Sequence, residues 1–411
     1  MTKQSAALQK VATPPSHPSS HRLTSLAFTK DLLVNPSTRN VHDIRHVVTA
    51  AASSSSSSRA SEFLKDVGTP AAAKAYGSYA ELVQDPDVDI IYIATPHSHH
   101  YQHARLALES GKHVLVEKPI TVNVSQAQVL CDLAMKNNRF LMEAVWTRFF
   151  PLTRSIQDFV RSGRLGTVKR VYADLSFWND VEAEFRTEHR MVNMQLAGGA
   201  LLDLGIYSLT WVFLILYHLQ QYSKEGKTTL APDVKAALSK YGGTGCDEMT
   251  SIVLDFPGAH VGSVSPGAKK GNGDAHAIAL TNIRVSNTPN ETHPSADPVR
   301  IQGTLGDITV SAPSYRPTSY MLIPAQNANR GKLADFEFET KKFDIPAGHG
   351  MFWEADECAR CIRDGKLESD VMSWAESLAV MRVMDEVRLQ EGLDYPETIE
   401  SCEYPLDGFG L

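Results

Sequence analysis

Two polar side chains interrupt the most apolar stretch of the sequence. Asp203 and Tyr207 lie within the run from Leu201 to Leu219 and stand four positions apart. In a helix this spacing places both side chains on one face, where polar groups need either buried partners or a pocket. A carboxylate and a phenol can bind a polar ligand or exchange protons with it. The pattern predicts either a ligand-binding face or, as the plainer alternative, a structural aspartate beside a core tyrosine.

Polar residues also follow two strand-like apolar runs. The sequence TPHSHH at residues 95–100 follows the run at 88–94, and EKP at 117–119 follows the run at 113–116. Because ligands bind outside the carboxyl ends of the strands in an open parallel sheet, both turns are expected to border one crevice. A surface lysine before a turn would look the same as Lys118 taken alone. The histidines have no accompanying cluster of carboxylates or cysteines, so we predict no metal site.

The elements that must position these residues follow two patterns. Between residues 43 and 150, strand-like runs alternate with helical stretches, which indicates βαβ units and a parallel sheet. After residue 151, strand-like runs follow one another between Gly and Pro turns, which favours a largely antiparallel sheet. Helices at 351–363 and 373–389 close the chain. We predict an α/β fold with a Rossmann-like parallel sheet, joined to an α+β domain with a large, mainly antiparallel, open-faced sheet.

The composition limits the function classes. The 411 residues are enough for two domains, and 43% apolar with 21% charged residues are ordinary globular values. A net charge of -7 gives no uniform basic field, so we expect neither nucleic-acid nor membrane binding. Asp203 and Gly205 interrupt the apolar stretch, which favours a buried helix. Five cysteines, an odd and sparse set, predict a reducing compartment and hence a cytoplasmic protein.

A third motif, AGGALLDLGIY at residues 197–207, contains the aspartate and tyrosine of the apolar stretch. Together with the motifs at 94–100 and 117–119 it resembles the Gfo/Idh/MocA family of oxidoreductases, which includes glucose-fructose oxidoreductase, inositol dehydrogenase and dimeric dihydrodiol dehydrogenase. The sequence EAVWTRFFP at 143–151 and the tyrosine at 207 are most similar to dimeric dihydrodiol dehydrogenases and to fungal NADP-dependent D-xylose dehydrogenases. The resemblance covers most of residues 40–400.

The resemblance implies a two-domain enzyme that forms a homodimer through its exposed sheet face. Residues 31–150 would form the dinucleotide-binding domain and residues 151–411 the substrate-binding and dimerisation domain, after an irregular tail at 1–30. The implied reaction is hydride transfer from the hydroxyl-bearing ring carbon of D-xylose, or of a related cyclic sugar or diol, to NADP rather than NAD. The alternative is a non-catalytic relative of the same fold that senses a sugar or nucleotide and acts as a regulatory binding protein.

The resemblance also assigns residues to the site. Tyr207 is expected to take the hydroxyl proton, with the ammonium of Lys118 favouring its phenolate form and Asp203 orienting the substrate or the lysine. Phe177 and Trp178 are expected to wall the substrate pocket. The residues expected to contact the cofactor are Ser54, Arg59, Thr95, Pro96, His99, Glu117, Lys118, Trp146 and Arg148.

A run of serines at 53–58, with Arg59 directly after it, follows the second predicted strand. At that position its hydroxyls and the guanidinium could receive the 2′-phosphate of NADP. A solvated loop of the same composition is the equally open alternative.

The sequence departs from the family at its start. No Gly-x-Gly-x-x-Gly loop precedes residue 43, and the first glycine is Gly68. The first strand and its phosphate-binding turn are therefore predicted to be missing or altered, which would weaken pyrophosphate binding and expose a sheet edge. Three explanations compete: an exon or start codon missed when the gene was read, a substitute strand and turn formed by residues 1–30, or the non-catalytic relative.

Overall fold

Parallel strands in the first third of the chain form one sheet. The computed structural model describes residues 6–12, 20–54, 56–220, 229–262, 274–290, 296–327 and 331–410. The strands are β1 (Ala6–Ala12), β2 (His46–Val47), β3 (Ala50–Ser53), β4 (Lys74–Tyr76), β5 (Ile90–Ile93), β6 (His113–Glu117) and β7 (Leu141–Ala144). Their order is β4-β3-β1-β5-β6-β7, with β2 beside β1, and every pairing is parallel. The predicted Rossmann-like sheet is confirmed.

Helices connect these strands. They are α1 (Ser20–Leu32), α2 (Ser57–Val67), α3 (Tyr79–Val83), α4 (His100–Glu109) and α5 (Val124–Lys136). Local sequence sets their ends: the Ser56 hydroxyl caps α2 by accepting from Arg59 N at 3.4 Å, and Gly68 ends it at a φ of 79°. Short 3-10 turns occur at Pro36–Arg39, His97–His99, Trp146–Phe149 and Met194–Leu196.

The first strand of the sheet is present. β1 lies between β3 and β5 and pairs in parallel with both. Of the two predicted options, missing or altered, the strand is therefore not missing, and the described part of residues 1–30 fits the explanation in which this segment forms a substitute strand. An irregular tail does not describe that part, because α1 also begins there. A central strand needs backbone partners on both sides, but it does not itself need glycines. The sequence AALQKVA can therefore fill this position. The predicted loss of the glycine loop concerns the link between β1 and α1, which lies outside the described residues.

A second, mixed sheet dominates the rest of the chain. Its order is β17-β14-β13-β12-β8-β11-β10-β9, antiparallel throughout except between β8 and β11. The strands are β8 (Val168–Ser176), β9 (Asp233–Lys240), β10 (Asp247–Phe256), β11 (Ala275–Asn282), β12 (Val299–Gly303), β13 (Gly306–Val310), β14 (Ser319–Pro324) and β17 (Glu339–Lys342), with a separate pair β15 (Gln326–Asn327) and β16 (Gly331–Lys332). The helices are α6 (Pro151–Arg161), α7 (Val181–Glu184), α8 (Ile206–Leu216), α9 (Phe352–Arg363), α10 (Trp374–Glu391) and α11 (Glu397–Glu400). The predicted large, mainly antiparallel sheet is confirmed.

The apolar stretch forms a helix inside the protein. Within the described part of the chain, Met194–Leu216 is the one helical segment long and apolar enough to cross a membrane. Its most apolar 18-residue window has a mean hydropathy of 1.8 and is wholly buried. Its α8 part packs against β8 and β11. A π-turn at Leu201–Gly205 precedes α8 and contains Asp203. Such wide turns are frequent at functional sites, because the inserted residue re-aims the side chains around it.

Candidate active site

A cavity of about 300 Å³ lies where the two sheets meet. The carboxyl ends of β5 and β6 form one side of it, and β8, the π-turn and α8 form the other. Its size and mixed lining suit a small polar ligand. The lining residues are Thr24, Ala27, Ala94, His97, Glu117, Lys118, Trp146, Leu175, Phe177, Arg190, Asp203, Leu204, Tyr207, Tyr315, His349 and Met351.

Lys118 and Asp203 form an ion pair across the two domains. The ammonium of Lys118, directly after β6, donates to the Asp203 carbonyl oxygen at 2.5 Å and to its Oδ1 at 2.9 Å. Both side chains are nearly buried, with exposed fractions of 12% and 9%. Lys118 thus bonds to both the backbone carbonyl and the carboxylate of Asp203, which lies in the π-turn. Two residues 85 positions apart in the sequence are thus held in one geometry.

Asp203 has two further partners. Arg190 Nη1 lies 3.1 Å from Asp203 Oδ1, and His97 Nε2 lies 3.6 Å from the same oxygen. Burial alone would raise the pKa of Asp203, but the charges of Arg190 and Lys118 hold it well below its usual range. Burial also lowers the pKa of His97, so its ring is neutral at neutral pH. Asp203 is therefore a carboxylate that can accept hydrogen bonds but is a poor proton acceptor.

Tyr207 is fixed by a tryptophan from the other domain. Trp146 Nε1 donates to the Tyr207 phenol oxygen at 2.8 Å, and Lys118 Nζ lies 5.0 Å from the centre of the Tyr207 ring. Burial raises the pKa of Tyr207 well above its usual value, and the nearby charge of Glu117 raises it further. Lys118 is expected to favour the phenolate, but its ammonium bonds to Asp203 and the pKa of Tyr207 is raised overall. Tyr207 is a neutral phenol at neutral pH.

A second pair of carboxyls lies beside the cavity. Glu117 accepts a short hydrogen bond from the Tyr92 hydroxyl. Glu354 in α9 is 1% exposed, and burial together with the charge of Glu117 raises its pKa well above its usual value. Burial and the charge of Glu117 therefore both favour the protonated form of Glu354.

The other predicted residues lie in different places. Phe177 lines the cavity, as do Glu117 and Trp146, whereas Trp178 is 62% exposed and does not. The remaining predicted cofactor residues do not line the cavity. Ser54 follows β3, Arg59 lies in the first turn of α2, and Thr95, Pro96 and His99 lie in the turn after β5.

Arg148 does not line the cavity. Its Nη1 pairs with Glu376 Oε1 of α10 at 2.7 Å, and its Nε donates to the Val371 carbonyl at 2.9 Å. The side chain is 1% exposed. A 3-10 turn has three residues per turn, so Arg148 points to a different side from Trp146, two positions earlier. In place of the predicted cofactor contact, Arg148 forms a buried ion pair between the end of the first domain and α10.

Replacing Arg148 with methionine is expected to cost about 3 to 5 kcal/mol of unfolding free energy, because it leaves a buried carboxylate without its cation. Urea denaturation measures the loss. The matched control is Arg161→Met, which breaks the exposed pair with Asp158 and should change stability little. Unchanged stability together with weakened NADPH binding would contradict the ion-pair role and support the predicted contact of Arg148 with the cofactor.

Glu143 supports the turn that carries Lys118. In β7, its Oε1 accepts from Ile120 N at 3.0 Å and its Oε2 from the Ser377 hydroxyl at 2.7 Å. The side chain is buried, and burial raises its pKa to about 7 from the ordinary 4.5. Between those values the folded chain retains a proton that the unfolded chain has lost. Glu143 therefore stabilises the fold fully below pH 4.5, and this stability is lost as the pH rises through 7.

Replacing Glu143 with glutamine should remove this pH dependence, because an amide keeps a similar shape but cannot ionise. Relative to the original protein, the variant should gain up to about 3 kcal/mol of unfolding free energy on going from pH about 4.5 to about 8. Urea denaturation of both proteins at the two pH values gives the difference. A stability difference that does not change with pH would contradict the raised pKa.

Several cavity residues were missed by the sequence analysis. Arg190 and Tyr315 come from loops whose distance from Asp203 the sequence does not reveal, and His349 and Met351 precede α9. His97 did carry a signal, since its turn follows a buried strand at the ligand-binding edge, but the sequence assigned it no individual role in the site. In the described part of the chain, no three His, Cys, Asp or Glu side chains are grouped to hold a metal.

The donor set fits a dinucleotide. The Glu117 carboxylate can accept from ribose hydroxyls, and the Trp146 ring offers a flat wall to a planar heterocycle. Hydroxyls and a guanidinium follow β3, at Ser54 and Arg59, where they suit a phosphate. These groups lie at the carboxyl edge of one parallel sheet, which is where such ligands bind.

The fold and site define an oxidoreductase. Residues 12–145 match the oxidoreductase family with an NAD-binding Rossmann fold, and residues 153–280 match the GFO/IDH/MocA C-terminal domain. The chain belongs to the Gfo/Idh/MocA oxidoreductase family.

Individual relatives are similar along most of the chain. A D-xylose 1-dehydrogenase (NADP(+)) from Hypocrea jecorina is 48% identical over 389 residues, which cover 92% of each chain. The trans-1,2-dihydrobenzene-1,2-diol dehydrogenase of Bos taurus is 30% identical and covers 91% of this chain and 96% of its own. A levoglucosan dehydrogenase solved with NADH and levoglucosan has a TM-score of 0.71 at 18% identity, covering 95% of this chain and 98% of that one, and it shares the fold.

Proposed function

We propose that this protein oxidises the anomeric hydroxyl of D-xylose, or a ring hydroxyl of a closely related cyclic sugar or diol, with NADP. The observation that carries the proposal is the convergence of Lys118, Asp203 and Tyr207 in one cavity between the domains. The 48% identity to a D-xylose 1-dehydrogenase favours the sugar and the phosphorylated cofactor. The alternative of a non-catalytic relative has no support, since the similar proteins are named as dehydrogenases.

The chemistry divides between the cofactor and the chain. Bound NADP supplies the hydride acceptor. Lys118 and Asp203 offer a donor and an acceptor to a sugar hydroxyl, which fixes its orientation. Tyr207, with its oxygen held by Trp146, exchanges the hydroxyl proton. Because its pKa is raised, Tyr207 keeps its proton at neutral pH, which is the form that the reductive direction needs, and it becomes a base for oxidation only as the pH rises.

The residues that would hold the cofactor lie at two places on the sheet edge. Glu117 and Trp146, in the cavity, would contact the nicotinamide half. Ser54 and Arg59 would contact the 2′-phosphate, with Thr95, Pro96 and His99 beside them. A guanidinium and hydroxyls at that position favour NADP over NAD.

Steady-state kinetics test the proposal. The purified chain is mixed with NADP and either D-xylose or trans-dihydrobenzenediol, and the absorbance of the reduced nicotinamide is followed. We expect a higher kcat/KM for D-xylose than for the diol, and a higher value with NADP than with NAD. No turnover with any of these pairs, by a folded protein, would reject the proposed function.

Two further properties belong to the proposal. The protein acts as a homodimer through the outer face of the second sheet, where Met249, Val253 and Ile323 are exposed apolar side chains. It works in the cytoplasm, which suits five unpaired cysteines. Sedimentation equilibrium tests the first property and fractionation of the source cells the second.

A further inference from the structure

One helix of the first domain buries three consecutive polar side chains. In α4, Tyr101, Gln102 and His103 are between 1% and 3% exposed. Buried polar groups need hydrogen-bond partners, and residues 401–410, named here the closing segment, supply them. The Tyr101 hydroxyl donates to the Cys402 carbonyl at 2.7 Å, and Gln102 Nε2 donates to the Glu403 carbonyl at 2.7 Å.

The anchoring continues along the segment. The Gln102 amide oxygen also accepts from Leu406 N at 3.3 Å, so one side chain holds the segment on two sides. The guanidinium of Arg105 lies 4.5 Å from the centre of the Tyr404 ring. His103 Nε2 lies 2.7 Å from the Phe409 carbonyl oxygen. The closing segment is thus attached to α4 along its length and does not trail over the surface.

The closing segment then reaches two loops of the parallel sheet. The Phe409 ring lies 4.8 Å from the His99 ring, in the turn after β5. Gly410 approaches Ser54, the residue after β3, so closely that an added Cβ would lie 2.9 Å from the Ser54 Cβ. His103 completes the connection, since its Nδ1 lies 3.1 Å from the Thr95 hydroxyl. The segment therefore bridges the carboxyl ends of β3 and β5, which flank β1 in the sheet.

This position identifies which half of the cofactor would be affected. The cavity with Lys118 and Trp146 lies at the carboxyl ends of β5 and β6 and takes the nicotinamide half. The end of β3 lies on the other side of β1, so an extended dinucleotide that starts in the cavity has its adenosine half between the ends of β5 and β3. We propose that the closing segment forms the outer wall of the adenosine subsite, with Phe409 and His99 as its aromatic surface and Gly410 setting the position of Ser54. This inference rests on the proposed use of NADP.

If the closing segment borders the adenosine subsite, a substitution in it should weaken the binding of the adenosine half alone. Phe409→Ala removes the aromatic surface, and the binding of NADPH should weaken about tenfold, the size typical of losing a ring that contacts a base. The fragment 2′-phospho-ADP-ribose, which contains the adenosine half, should weaken by a similar factor. Reduced nicotinamide mononucleotide, which lacks that half, should bind unchanged.

The experiment measures the dissociation constants of these three ligands by fluorescence titration and competition. Phe338→Ala serves as the matched control, because Phe338 is 61% exposed and belongs to the second domain. Gly410→Ala serves as a second variant in case Phe409→Ala does not fold. Its side chain would press on Ser54 from a backbone φ of 67°, so it should weaken NADPH and leave the mononucleotide unchanged.

The outcomes separate the inference from the proposed function. Selective weakening of the two adenosine ligands supports the wall. Equal affinities in the original protein and both variants overturn it, and so does a parallel loss for all three ligands, which would indicate a structural role only. If the original protein itself binds no NADPH, the proposed function fails and the inference fails with it.

Discussion

Replacing Tyr207 with phenylalanine is expected to lower kcat for D-xylose oxidation by about a hundredfold to ten-thousandfold, the range for losing a positioned acid–base group. The ring remains and keeps its packing near Lys118 and Tyr315. The phenol oxygen that accepts the hydrogen bond from Trp146 Nε1 is lost. Among the described residues that line the cavity, no other phenol oxygen accepts this bond. KM for the sugar and the dissociation constant of NADPH should change much less than kcat.

The pH dependence of the original protein distinguishes this role from a structural one. Burial and the charge of Glu117 raise the pKa of Tyr207, so the fraction of phenolate grows as the pH rises above neutrality. The rate of sugar oxidation should therefore rise with pH, and the rate of the reverse reduction should not. Near-normal kcat in Tyr207→Phe, or an oxidation rate that is highest in acid, would contradict the assignment.

Replacing Lys118 with methionine should have an effect of comparable size, lowering kcat by at least about a thousandfold. Methionine fills a similar volume but donates no hydrogen bond to the substrate or to Asp203. The carboxylate keeps Arg190 at 3.1 Å, so the fold is expected to survive the loss of one partner. Stopped-flow measurement of NADPH binding, together with steady-state rates, separates cofactor binding from turnover.

Arg190→Gln is the comparison that makes the Lys118 variant informative. Both substitutions remove one cation from Asp203. If Lys118 acts only by neutralising Asp203, the two variants should lose activity to the same extent. The account predicts a much larger loss for Lys118→Met, because its ammonium also faces the sugar hydroxyl. Full activity in Lys118→Met would remove the lysine from the mechanism.

The sequence predicted the central site because its residues lie in ordered surroundings. Lys118 directly follows a buried strand, and Asp203 and Tyr207 lie in a helical stretch, so each position could be inferred from local pattern and family resemblance. The contact between them depends on the π-turn at Leu201–Gly205, which the sequence analysis read as ordinary helix. Arg190 could not be found in this way, since it reaches Asp203 from a loop.

Other predictions failed where a long-range partner decided the outcome. β1 was predicted to be missing or altered because no glycine loop follows it in the sequence, yet the strand is present and pairs with β3 and β5 on either side. Arg148 lies two residues from Trp146, but its partner Glu376 is more than two hundred positions away and draws it from the cavity. The direction of the Tyr207 pKa shift followed from burial and from Glu117, neither of which local sequence reveals.

The most direct test of the central claim is the fate of the hydrogen on the anomeric carbon of the sugar. The chain is supplied with NADP and with D-xylose that carries deuterium at this carbon, and the reduced cofactor is analysed by mass spectrometry. The account predicts one deuterium in each molecule of reduced cofactor, with a slower rate than for ordinary D-xylose if hydride transfer limits turnover. Reduced cofactor without deuterium, or no reduced cofactor at all, would contradict it.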